Sequence, residues 1–126
     1  KTTNDGSADF QDLEVAGEKP LYLHVAERAA EWNYNDNVGL VVGATHPEDM
    51  EEVRQHAAEL PFLVPGVGAQ GGSVEAAVEH GTNFDGVGVV NSTRSIIYAG
   101  EGEDENFDKA ARESAKSLKR NLNEYR

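Results

Sequence analysis

Eight consecutive residues, Pro65-Gly66-Val67-Gly68-Ala69-Gln70-Gly71-Gly72, contain four glycines and one glutamine. Without a Cβ, backbone amides can approach a ligand closely and point at it. The apolar run Phe62–Val67 leads into this loop, and Ser73 follows as the start of a predicted helix. Amides at such a strand–loop–helix junction suit an anion, usually a phosphate. A second apolar run, Gly86–Val90, ends in Asn91-Ser92-Thr93-Arg94. One loop offers amides, and the other offers a guanidinium, whose planar fork binds phosphate through paired hydrogen bonds.

The composition narrows what such a site can serve. The 126 residues carry 23 acidic against 11 basic side chains, a net charge of −12. A chain this acidic repels nucleic acid and anionic membranes, so neither is expected as a partner. The carboxylates are spread along the chain, and lysine is confined to Lys1, Lys19, Lys109, Lys116 and Lys119. This pattern suits a halophilic surface, where salt screens the self-repulsion. No cysteine is present, which removes disulfides and thiolate metal sites and fits a cytoplasmic setting. No apolar run approaches the length of a membrane span. His24, His46, His56 and His80 lack metal-ligand spacing and are expected on or beside helices, exposed. Glu101–Glu105 is expected as a solvated acidic loop.

The elements that must position the two loops follow from periodicity. Lys1–Leu13 contains no complete element and reads as loop. Pro20–Trp32 reads as a helix, with Leu21, Val25, Ala29 and Trp32 on one face and Trp32 packed inward. Val38–Ala44 is a strand apolar on both faces, as in parallel sheets. A helix follows, with Thr45 and Glu48 at capping-box spacing and an apolar stripe of Met50, Val53, Ala57 and Leu60. Phe62–Val67 is the next strand. Ser73–His80 is a short helix stopped by Gly81, and Gly86–Val90 is a third strand. The last helix spans about Glu105 to Tyr125, with Phe107, Ala111, Leu118, Leu122 and Tyr125 on one side.

Strand centres near Val41, Val64 and Val89 lie roughly 25 residues apart, the rhythm of a parallel βα sheet. Two architectures share that rhythm. Gly66-Val67-Gly68-Ala69-Gln70-Gly71 satisfies the dinucleotide pattern GxGxxG, but Asp85 starts the next strand rather than ending it. A (β/α)₈ barrel binds phosphate with the loops after its last two strands, which is where these two loops fall. A full barrel takes about 250 residues, so this chain would be roughly half of one.

The residues resemble a known family. The two loops, the latter extended as Asn91-Ser92-Thr93-Arg94-Ser95-Ile96-Ile97, are similar to orotidine 5′-phosphate decarboxylase. So are Thr2-Thr3-Asn4-Asp5-Gly6-Ser7 with Asp9-Phe10-Gln11, and Val41-Val42-Gly43-Ala44-Thr45. The resemblance implies a (β/α)₈ barrel, α/β in class. Residues 1–126 would form a single partial domain, its C-terminal half, from the end of barrel strand five through strand eight and the terminal helix. It further implies decarboxylation of orotidine 5′-monophosphate to UMP in pyrimidine synthesis, without cofactor or metal, by a homodimer. Arg94 would grip the phosphate with the Thr93 amide, Gln70 would bridge phosphate and pyrimidine, Pro65 would line the base pocket, and Thr3 would meet the pyrimidine edge.

Thr3 stands where serine is expected and keeps its hydroxyl; Asp5 stands where proline is common, and Thr93 and Ser95 where serine or glycine are usual. The family's Asp-x-Lys-x-x-Asp centre has no counterpart in this chain; Asp108-Lys109 does not fit its spacing. The catalytic residues would therefore belong to a missing N-terminal half, a companion segment of about 120 residues. Two other readings stand beside this one. The chain could serve another phosphosugar barrel decarboxylase or epimerase, or be a non-catalytic phosphate-binding fragment.

Overall fold

The structure, a computed structural model, describes all residues except Ala16, Glu18, Ala69, Gln70 and 101–105. A single helical turn, α1 (Ala8–Gln11), and a short antiparallel ribbon, β1 (Glu14–Val15) and β2 (Lys19–Pro20), precede helix α2 (Leu21–Glu31). Strand β3 (Leu40–Val41), helix α3 (Pro47–His56), strand β4 (Phe62–Pro65), helix α4 (Val74–Glu79) and strand β5 (Gly88–Asn91) alternate thereafter. The chain closes with a short helix, α5 (Arg94–Ile97), and a long one, α6 (Phe107–Asn123).

The three β strands of the alternating region form one parallel sheet in the order β3-β4-β5. Leu40 pairs with Phe62, and Phe62 with Gly88; Val41 pairs with Leu63, and Leu63 with Val89. The β3 ladder continues past the strand itself, as the Val42 and Ala44 amides donate to the Leu63 and Pro65 carbonyls at 3.0 and 3.3 Å. On the other side of β3, the Gly43 amide donates to the Lys1 carbonyl at 3.0 Å, so residues 1–3 run beside this edge. Alternation along β4 then decides the core. Phe62 and Val64 are buried against the helices, while Leu63 between them is 40% exposed. Met50, Val53, Ala57 and Leu60 make the predicted stripe, all buried, joined by Ala76 and Ala77 of α4.

Several expected details differ. Helix α2 buries Tyr22, Leu23, Ala26 and Ala29, while Val25 is 55% and Trp32 63% exposed. The face is rotated because the Tyr22 hydroxyl finds a partner, donating to the Glu52 carboxylate across α2 and α3. Trp32 falls at the helix C-cap, past the packed turns. Thr45 and Glu48 form no capping box. Pro47 occupies the first helical position, so His46 is the N-cap, and no side chain caps the helix. Among the described residues the buried Thr45 hydroxyl has no hydrogen-bond partner. Lys1–Leu13 is not all loop, since α1 forms within it. Of the histidines, His46 is exposed, but His24, His56 and His80 are half-buried. The acidic run 101–105 lies outside the described residues, as does the expected start of the last helix at Glu105.

Arg54 holds the end of the sheet where the strands begin. Its guanidinium donates to the carbonyls of Leu60, His80, Ala57 and Ala58 at 2.8, 2.9, 3.1 and 3.1 Å. It also stacks 3.5 Å from the centre of the Phe62 ring. Burial lowers its pKa to about 10, so it stays cationic at neutral pH. The carbonyls past the last turn of α3 have no helical donors of their own. Arg54→Met is expected to cost about 2–4 kcal/mol in a urea melt, because several acceptors lose one shared donor. Arg54→Lys should recover only part, since an ammonium neither forks nor stacks in the same way. Burial first, and then the Glu52 hydrogen bond, push the Tyr22 pKa up. The hydroxyl thus keeps its proton in the folded chain where the unfolded chain would release it. That stabilisation is complete below about pH 10 and declines as pH rises above it. Tyr22→Phe should flatten this alkaline limb of the stability curve.

Candidate functional site

Pro65 ends β4, and the chain then turns through positions that favour glycine. Gly66, Gly68 and Gly71 take φ of 88°, 85° and 75°, a region where an L side chain is strained. The loop folds back on itself: the Gly71 amide donates to the Gly68 carbonyl at 3.0 Å and the Gly72 amide to the Gly66 carbonyl at 3.2 Å. Ser73 then anchors the exit twice. Its amide donates to the Ala44 carbonyl at 3.1 Å, and its hydroxyl accepts from the Ala76 amide at 3.1 Å, capping α4. At Gly72 a Cβ would lie 2.7 Å from the Gly66 carbonyl oxygen and 2.9 Å from the Ala44 Cβ.

The second loop stands beside the first because of strand register. Pro65 pairs directly with Asn91, so both chains leave the sheet at the same level. Pro65, Gly66, Val67, Asn91, Ser92, Thr93 and Arg94 line a cavity of about 210 Å³ between them. Arg94 opens α5 and is exposed, and among the described residues no carboxylate lies within ion-pair distance of it. Pro65 also borders a second cavity of about 330 Å³, lined by Thr3, Asn4, Val41, Gly43 and Thr45 among others. Thr3 reaches this cavity because Gly43 lacks a Cβ, which would sit 2.6 Å from the Thr3 Cγ2.

Thr3, Pro65, Thr93 and Arg94 therefore gather at the edge where the parallel strands end, and Gln70 lies outside the described residues. Asn91 and Ser92 line the cavity without having been singled out as binding residues; their place in the Asn-Ser-Thr-Arg run was the available signal. Gly43 and the buried Thr45 hydroxyl also belong to this edge. Among the described residues no group of three or more metal-ligating side chains forms, and no helix is long and apolar enough to cross a membrane. Chemically, the edge presents one guanidinium, several hydroxyls and the backbone of the glycine loop around a small hollow. A guanidinium beside backbone amides suits an anion.

The model of the Orotidine 5′-phosphate decarboxylase / HUMPS family matches residues 1–106. The chain belongs to that family. It is 57% identical over 129 residues to orotidine 5′-phosphate decarboxylase of Halobacterium salinarum, covering all of this chain and 48% of that protein. For the enzyme of Natronomonas pharaonis the identity is 59%, with 47% of the relative covered. Among solved structures, Leishmania donovani OMP decarboxylase aligns over 97% of this chain and 45% of its own, at 40% identity and a TM-score of 0.75. Leishmania donovani UMP synthase aligns over 94% of this chain and 26% of its own, at 45% identity and a TM-score of 0.76. The chain thus spans about half the length of the decarboxylases it matches. The fold class expected from the sequence holds, since the chain is part of a (β/α)₈ barrel.

The family's glycine loop makes two distinct demands, and these can be separated. Gly68→Ala meets no atom of the described residues within 4 Å but must hold φ at 85°, so a loss of about 1–2 kcal/mol is expected. Gly72→Ala collides with backbone and should cost about 1–3 kcal/mol through a shift of the loop against Ala44. Thermal melts of the two variants, compared with Gly17→Ala as a distant positive-φ control, measure both.

Proposed function

We propose that this chain supplies the phosphate- and pyrimidine-binding side of an orotidine 5′-monophosphate decarboxylase. The observation that carries the reading is the pairing of Pro65 with Asn91, which sets the glycine loop and Arg94 around one cavity. Arg94 grips the phosphate, with the Thr93 amide beside it. Gln70 bridges phosphate and base, Pro65 lines the base pocket, and Thr3 meets the pyrimidine edge through its hydroxyl. A phosphate held far from the reacting carbon contributes binding energy that orients the ring.

The bond that breaks joins C6 to the carboxylate; its electron pair stays on C6, carbon dioxide leaves, and a proton then fills C6. The family's lysine and carboxylates would do that work from a companion segment preceding residue 1. The domain limits belong to the same proposal, residues 1–126 running from the end of barrel strand five through the terminal helix. The uncovered row Val41, Leu63 and Val89, 51%, 40% and 58% exposed and paired across the sheet, supports a companion that fills the barrel interior. A cytoplasmic homodimer adapted to high salt completes the proposal. The net charge of −12 and relatives from Halobacterium and Haloarcula support its last part.

In the complete enzyme, Arg94→Ala is expected to lower kcat/KM for orotidine monophosphate by about 2–4 kcal/mol, roughly 30- to 1,000-fold. Unchanged kinetics would remove Arg94 from the site. UMP should also bind far more tightly than ribose 5-phosphate; equal affinities would favour a different phosphosugar substrate within the family. Binding of UMP with no turnover when the companion segment is supplied would point instead to a non-catalytic module.

A further inference from the structure

We infer that Ser114 is a positioning residue for the phosphate grip, acting through the turn that carries Arg94; this rests on the site reading proposed above. Helix α6 is exposed along most of its length, and its half-buried positions are Ala110, Ala111, Ser114, Leu118 and Leu122. Ser114 is the one polar side chain in that seam. Packing alone would favour alanine there, because a half-buried hydroxyl is costly unless it is hydrogen-bonded. It is bonded: the Ser114 Oγ donates to the Ser95 carbonyl at 2.8 Å, across 19 residues of sequence.

That carbonyl belongs to α5, a helix of four residues that begins at Arg94. A helix this short is not stable by itself and takes its order from what it packs on. Near its C-terminus the carbonyls lack intrahelical donors, and Ser114 supplies one. From the other side, the Ser95 hydroxyl lies 2.6 Å from the Ser92 hydroxyl, closing residues 92–95 into a tight turn. Gly100, just past α5, lets the chain pass close to the start of α6, since a Cβ there would lie 3.0 Å from the Phe107 Cα and 3.1 Å from the Ala110 Cβ. The terminal helix thus holds the backbone on which the guanidinium is mounted, while touching neither cavity.

The test uses the complete enzyme and two competitive ligands that differ by the phosphate, UMP and uridine. Ser114→Ala should weaken UMP about fivefold, the effect of one side-chain to backbone hydrogen bond, and leave uridine unchanged. Ser114→Thr and Ser114→Val are nearly isosteric and isolate the hydroxyl even if alanine unfolds the helix. Threonine should keep the parental UMP affinity, and valine should lose it about fivefold. Equal losses for UMP and uridine, or no loss of UMP affinity in folded valine and alanine variants, would overturn the inference. Arg94→Ala separates the two levels of the argument. If it fails to narrow the gap between UMP and uridine, the site reading falls and this inference with it. If it narrows the gap while the Ser114 variants do not, only the inference falls.

Discussion

Pro65 has no amide to give to a neighbouring strand, yet its carbonyl accepts from Ala44 while its Cα pairs with Asn91. The ladder along β4 runs up to this residue and ends there. The chain is released into the glycine loop at the level where β5 also ends. Parallel pairing does the rest, because strands running the same way leave the sheet at the same edge. The Ala44 carbonyl next receives the Ser73 amide, so a single residue just past β3 fixes both the start and the exit of the loop. Had β4 and β5 paired one residue out of step, side-chain faces would invert and Arg94 would leave the cavity.

Two arginines show how a chain of 23 carboxylates divides its labour between the ends of the sheet. Arg54 sits where the strands begin and binds carbonyls and a ring rather than a carboxylate. Its task is to supply donors where helix and loops run out of them. Arg94 sits where the strands end and remains exposed beside a hollow. In barrels of this class the first end carries stability and the second carries ligands; Arg54 serves the first, and Arg94 is proposed for the second. What separates their roles is the acceptor: carbonyls already in the fold for Arg54, and open space for Arg94.

The parts of the fold that could be read from sequence are those where one residue type has one conformational meaning. The glycine loop was legible because left-handed φ leaves few alternatives, and the stripe Met50, Val53, Ala57 and Leu60 because four apolar residues at helical spacing have one inward face. Reading failed where a polar atom cast the deciding vote. Tyr22 turned α2 because Glu52 could satisfy its hydroxyl, a contact 30 residues away. Pro47 moved the start of α3 by one position and broke an otherwise plausible capping box. The turn α5 was missed because it is held from outside, by Ser114, rather than by its own propensity. At the candidate site, the blocks that hold Thr3, Pro65, Thr93 and Arg94 were legible, and these residues line its two cavities. That Thr3 could share an edge with Pro65 depended on a missing Cβ at Gly43.

The strands read as apolar throughout because a parallel sheet is covered on both faces, whereas this chain covers only one. Val41, Leu63 and Val89 stand side by side in register on the open face, too regular to be scattered surface residues. Leaving such a row in water forfeits the burial that neighbouring Phe62 and Val64 gain. The same face borders the edge that holds Thr3, Pro65 and Arg94. Whatever covers the row must approach the cavity beside Thr3, Val41 and Pro65 as well. Completing the hydrophobic interior and completing the proposed site are then one event, which gives the proposed companion segment an energetic reason to bring its own side chains opposite the two loops.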